Sequence, residues 1–114
     1  MAIDRARYDR ARQGRVTIGD FVLVFLRPSP YAVAELSWLG RRFDLAFAEG
    51  LVVGWENVRE SDLIPGGDPV AADFDRDLFS AWLRDRPDFW EPLTTAVVES
   101  YTRYEEAREQ QKNG

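Results

Sequence analysis

Apolar positions along the chain change period several times, and each change marks an element. Phe21, Leu23 and Phe25 alternate with Val22, Val24 and Leu26, and they follow Val16, Ile18 and a Gly19-Asp20 break. β-Branched and aromatic residues on either side of such a break predict a hairpin. Its second strand is apolar on both faces, so both need cover. Pro28 ends that strand, and Ser29-Pro30 reads as an N-cap followed by proline at the first helical position. Ala32, Leu36, Leu39, Phe43 and Phe47 then recur at three- and four-residue steps, with Glu35 and Arg42 elsewhere on the wheel. That spacing predicts one amphipathic helix, closed by Gly50 in the left-handed conformation. Gly40 inside it costs about 1 kcal/mol relative to alanine.

Leu51-Val52-Val53-Gly54-Trp55 is a short apolar run that fits a buried strand or a tight helical turn equally well. Residues 57–72 form the main loop, because Pro65-Gly66-Gly67-Asp68-Pro69 is the strongest turn signal in the chain. Asp75 caps the next helix, Phe74 is placed to staple onto Phe79, and Leu78 and Trp82 continue the apolar face. Arg86-Pro87 breaks that helix. In the last helix Trp90, Leu93, Val97, Tyr101 and Tyr104 make a single stripe, and Glu99 and Arg103 have the spacing of a favourable pair. Pro92 lacks the N–H that would bond residue 88, so the helix starts near it or kinks there. Beyond Tyr104 only Ala107 is apolar.

These elements predict an α+β fold, mainly α, with an N-terminal β-hairpin packed on three to four helices. Residues 15–104 form a single globular domain. A flexible basic arm, residues 1–14, precedes it, and a polar C-terminal helix end, residues 105–114, follows.

Composition supports a folded domain. Of 114 residues 45% are hydrophobic, with four Trp and seven Phe, which is too apolar for a disordered segment. Twenty acidic against 15 basic residues give a net charge of −5, which disfavours a broad nucleic-acid face. Five arginines against two aspartates leave the first fifteen residues at +3 and the remainder at −8. The absence of cysteine fits a reducing compartment, and a charged start predicts no secretory signal. The run from Phe21 to Leu26 is far short of the ~20 residues that cross a bilayer. A soluble cytoplasmic protein is expected.

Candidate chemistry is sparse. The chain has no His and no Cys, so the commonest general base, metal ligand and reactive nucleophile are missing. Asp73, Asp75 and Asp77 alternate like the start of a calcium loop, but the positions that need Gly and a bidentate Glu hold Leu78 and Arg84. Acidic residues at a helix N-terminus account for them. Pro65-Gly66-Gly67 lacks the Gly-Lys-Ser/Thr end of a phosphate loop. No catalytic residue, metal ligand or cofactor site is expected, and function points to a surface.

The second half of the chain carries a resemblance. Leu51-Val52-Val53-Gly54-Trp55 with Val58, a Pro/Gly loop, Phe74-Asp75 opening a helix with Leu78 and Leu83, then Pro87, Tyr101, Arg108 and Lys112-Asn113 resemble small tail assembly chaperones of siphophages. The resemblance covers residues 51–113 and rests on order and spacing. It implies a non-enzymatic protein of the infected bacterial cytoplasm that binds the tape measure protein, keeps it soluble and helps recruit tail-tube subunits. Self-association is compatible with that role; a membrane partner is not implied. A tape measure protein is long and largely helical, so a small domain lending a helix groove or an apolar patch rimmed by acidic charge would shield its apolar stripes. Trp55, Trp90, Leu93, Val97, Tyr101 and Tyr104 are the candidate partner-binding residues. Two other classes fit the length and charge: a virion connector or tail-completion protein, and a small acidic phage inhibitor of a host nucleic-acid-binding protein.

Overall fold

The computed structural model describes residues 2–113. Its first helix, α1 (Arg5–Ala11), is capped by the Asp4 carboxylate and buries no side chain. The sheet then begins at Gln13, two residues earlier than the charge pattern suggested, because β1 (Gln13–Ile18) pairs antiparallel with β2 (Phe21–Leu26) from Gln13↔Leu26 onward. Gly14 is thus a strand residue beneath Phe25 and not part of a flexible arm. Gly19, with φ 60°, takes the first central position of the two-residue turn, where a type II′ hairpin requires glycine.

The ambiguous Leu51–Trp55 run resolves mostly as a strand, β3 (Val52–Glu56), which makes β2 the central strand in the order β1-β2-β3. A register shift opposite Val24/Phe25 puts Val52 across from Phe25 and Trp55 across from Leu23. The bulge thereby turns Val52 and Trp55, three residues apart, to one face and leaves Val53 exposed.

Residues 30–51 do not form one helix. The chain makes α2 (Pro30–Trp38) and α3 (Leu45–Leu51). Gly40 takes φ 67°, its N–H donates to the Ser37 carbonyl, and the Arg41 N–H donates to the Leu36 carbonyl at 2.8 Å. This pair of bonds is a Schellman motif. Gly40 therefore supplies the left-handed stop that the periodicity placed at Gly50, and Asp44 starts α3 by accepting from Phe47 N–H at 2.8 Å.

The 57–72 loop is tied down. It contains α4 (Glu60–Leu63) and is closed by Glu60 N–H to Val70 and Ala72 N–H to Val58 backbone bonds. Next comes α5 (Arg76–Arg84), capped by Asp75, with Phe74 and Phe79 rings 6.0 Å apart as the staple predicts. Leu78 is exposed, so the apolar face of α5 is carried by Phe79, Trp82 and Leu83. A 3-10 turn over Pro87–Phe89 leads into α6 (Trp90–Asn113), which starts two residues before Pro92.

The fold is α+β, mainly α, with the predicted hairpin joined by a third strand. One core lies between a single sheet face and helices α3, α5 and α6: Leu23, Phe25, Val52 and Trp55 meet Ala48, Phe79, Trp82, Leu83, Phe89, Leu93 and Val97. Edge-to-face contacts run Trp55–Trp82–Phe89 at 5.8 and 5.0 Å, and the Arg86 guanidinium sits 4.5 Å from the centre of Phe89. The radius of gyration, 16.0 Å, exceeds the ~13 Å of a compact chain this long. The polar end of α6 helps explain the excess, since the helix runs on past Tyr104 as far as Asn113. Among the described residues no helix is long and apolar enough to cross a membrane.

Candidate interaction surface

The six residues expected to meet a partner fall into two groups. Trp55, Leu93 and Val97 are buried in the core. Trp55 packs edge-to-face on Phe74 and Trp82, and its Nε1 donates to the Ala72 carbonyl at 2.8 Å. An indole with its faces packed and its N–H satisfied internally offers nothing to a partner. The expectation is corrected for these three: the stripe that periodicity detects on α6 is the stripe that holds the core.

Trp90, Tyr101 and Tyr104 remain partly reachable, and each is committed to an internal contact. Trp90 is 39% exposed, with its Nε1 donating to the Leu83 carbonyl at 2.7 Å. Tyr101 lies 5.9 Å from Phe43 and donates its hydroxyl to Glu105. Desolvation, then that hydrogen bond and the nearby carboxylate charge, push its pKa up to about 12. Arg27 covers the Tyr104 ring at 3.7 Å, and Arg108 stands 5.7 Å from the same ring. This is an aromatic and cationic clasp that fixes the root of the projecting helix end. The expected Glu99–Arg103 pair is not among the ion pairs of the described residues.

A more open apolar surface lies on α2. Tyr31 is 69% exposed, Trp38 67% and Leu39, the C-cap residue, 66%, whereas Leu36, on the side of α2 away from Tyr31 and Trp38, is buried. The Tyr31 and Trp38 rings meet edge-to-face at 5.6 Å. Residues seven apart fall within about 20° on a helical wheel, so the ring pair forms a ridge along one side of α2. Exposed Glu35 flanks it, and at its C-terminal end Arg41 is held by Asp44 at 2.9 Å. Fully burying one such large side chain stabilises a protein by roughly 1.5–3 kcal/mol; folding leaves most of that gain untaken at Tyr31, Trp38 and Leu39. An aromatic centre with a polar rim is the anatomy of a binding hot spot. Treating residues 30–50 as one helix hid this surface, since it assigned Leu39 to the buried stripe. The signal was present in the seven-residue separation of Tyr31 and Trp38.

Many carboxylates are engaged locally. Asp44 and Asp75 cap helices, and Asp9, Glu49, Glu56 and Asp88 pair with arginines. Among the described residues no group of three carboxylates converges as a metal site would require. No protein-family model, curated protein or solved structure matches the chain.

Proposed function

We propose that the chain is a non-enzymatic phage tail assembly chaperone, acting in the cytoplasm of the bacterial host, that binds the tape measure protein and helps recruit tail-tube subunits. The observation that supports it most is the exposed Tyr31–Trp38 ridge on α2, with exposed Leu39 at the helix C-cap. A helix presenting two aromatics along one side is suited to lie along the apolar stripe of another helix, the structure a tape measure protein supplies in quantity. The resemblance over residues 51–113, which rests on order and spacing in the sequence, supports the same reading. An acidic mimic of nucleic acid draws less support, since several of its carboxylates are spent on caps and arginines.

The test is co-purification. With the tape measure protein produced in the same cells, the two chains should elute together in gel filtration, and Trp38→Ser should release the complex. Separate elution of the wild-type chains, or recovery of this chain in stoichiometric amount from finished virions, contradicts the proposal.

A further inference from the structure

A second surface lies at one edge of the sheet. β1 has a neighbour on one side only. Arg27 N–H donates to the Arg12 carbonyl at 2.8 Å, so the pairs that alternate with it place Gly14, Val16 and Ile18 in bonds to β2. The N–H and C=O groups of Gln13, Arg15 and Thr17 therefore point outward. Among the described residues no other backbone bond engages them. Beside this edge an open groove of about 540 Å³ runs between β1 and α6, floored by Val16, Pro92 and Ala96. Its rim carries Asp88, Glu91 and Glu99. Asp88 is held by Arg86, but no ion pair among the described residues engages Glu91 or Glu99.

We infer that this edge and groove dock an extended, lysine- or arginine-bearing segment of another protein by strand addition to β1. The outward backbone groups supply the hydrogen bonds; on the side of the added strand that faces α6, a small apolar residue fills the groove and cationic residues two positions to either side of it meet Glu91 and Glu99. Charge decides the occupant. A second copy added edge to edge would bring the same carboxylates to the same rim, and like charges oppose that pairing. Unprotected strand edges are normally blocked by lysine, proline or a bulge; β1 carries only Arg15, whose side chain is paired with Glu56 across the sheet. This inference stands apart from the α2 ridge, because the two surfaces share no residue.

The experiment uses the full ¹⁵N-labelled chain and a capped peptide of sequence Thr-Lys-Thr-Val-Thr-Lys-Thr, whose valine and lysines share one face of a strand. The expected result is amide shifts and slowed exchange at Gln13, Arg15 and Thr17. Thr17→Pro removes one outward N–H while leaving the β1–β2 ladder intact, as edge strands tolerate, and should weaken binding about tenfold or more. Should that variant fold poorly, Glu91→Lys with Glu99→Lys keeps the ladder and should weaken the lysine peptide about tenfold while favouring a glutamate–valine peptide. The inference is overturned by no shift at those three amides with millimolar peptide, by equal binding of the glutamate peptide, or by unchanged binding in a folded Thr17→Pro. A peptide-independent dimer with protected β1 amides also overturns it, in favour of a second copy.

Discussion

Replacing Gly14 by alanine separates two readings of the N-terminal segment by the sign of the effect. If Gly14 merely ended a frayed arm, alanine would be neutral or would stabilise by about 0.4–1 kcal/mol, because it restricts the unfolded chain. In the structure Gly14 lies across the ladder from Phe25, whose ring covers its backbone. A methyl group on Gly14 would meet Phe25 Cζ at 2.5 Å and Cε2 at 2.7 Å. The ring cannot swing away, since Phe25 is only 2% exposed and packed in the core. Overpacking of this kind costs about 1–3 kcal/mol, equivalent to a fall in melting temperature of roughly 4–12 °C for a domain this size. Urea unfolding followed by tryptophan fluorescence, checked by calorimetry, gives both quantities. Phe25→Leu should be less costly in the Gly14→Ala background than in the wild type, by a coupling of about 0.5 kcal/mol or more. An unchanged or raised stability for Gly14→Ala, or strictly additive effects, would refute the placement of Gly14 in the sheet.

Further outcomes follow from single contacts. Asp75→Ala removes the carboxylate that accepts from Leu78 N–H at 2.8 Å and should cost about 1 kcal/mol in urea unfolding. Arg41 and the Phe47 N–H hold the Asp44 carboxyl below its ordinary pKa, so its contribution is present above the unfolded value of about 3.9 and is lost as pH falls through the lower folded value. Asp44→Asn should therefore flatten the acid limb of the stability–pH curve. Tyr101, pushed up to about 12, contributes stability below the unfolded value of about 10 that disappears as pH rises through its folded value. The absorbance titration of wild type minus Tyr101→Phe should show its step at about 12. Trp38→Ser should leave stability within about 0.5 kcal/mol of wild type, as substitution at so exposed a position does.

Much of this fold was legible where local chemistry and packing agree. The hairpin followed from the Gly19-Asp20 break and the apolar residues around it, and α5 from Asp75 with the Phe74–Phe79 staple. Residues 30–50 misled because Phe43 and Phe47 continue the step begun by Ala32 and Leu36, although the Gly40 and Asp44 between them carry the stop and the new cap. Periodicity reports which side chains recur, and a Schellman stop interrupts the axis without interrupting the count. The candidate surface was legible only in part. An apolar stripe on a helix is more often core than interface, which is why Leu93 and Val97 were buried and the residues of α2 that break the stripe were exposed. The burial of Trp55 depends on the Ala72 carbonyl, 17 residues away, and no local pattern encodes such a contact.

The central claim is that the α2 ridge shields a tape measure protein. The most direct measurement is the soluble fraction of that protein co-expressed with wild-type chain, with the Tyr31→Ser, Trp38→Ser double variant, and with no partner. The account predicts a soluble complex with the wild type, and with the folded double variant a soluble fraction no higher than with no partner. Equal solubility across all three, or full activity in the double variant, would contradict it.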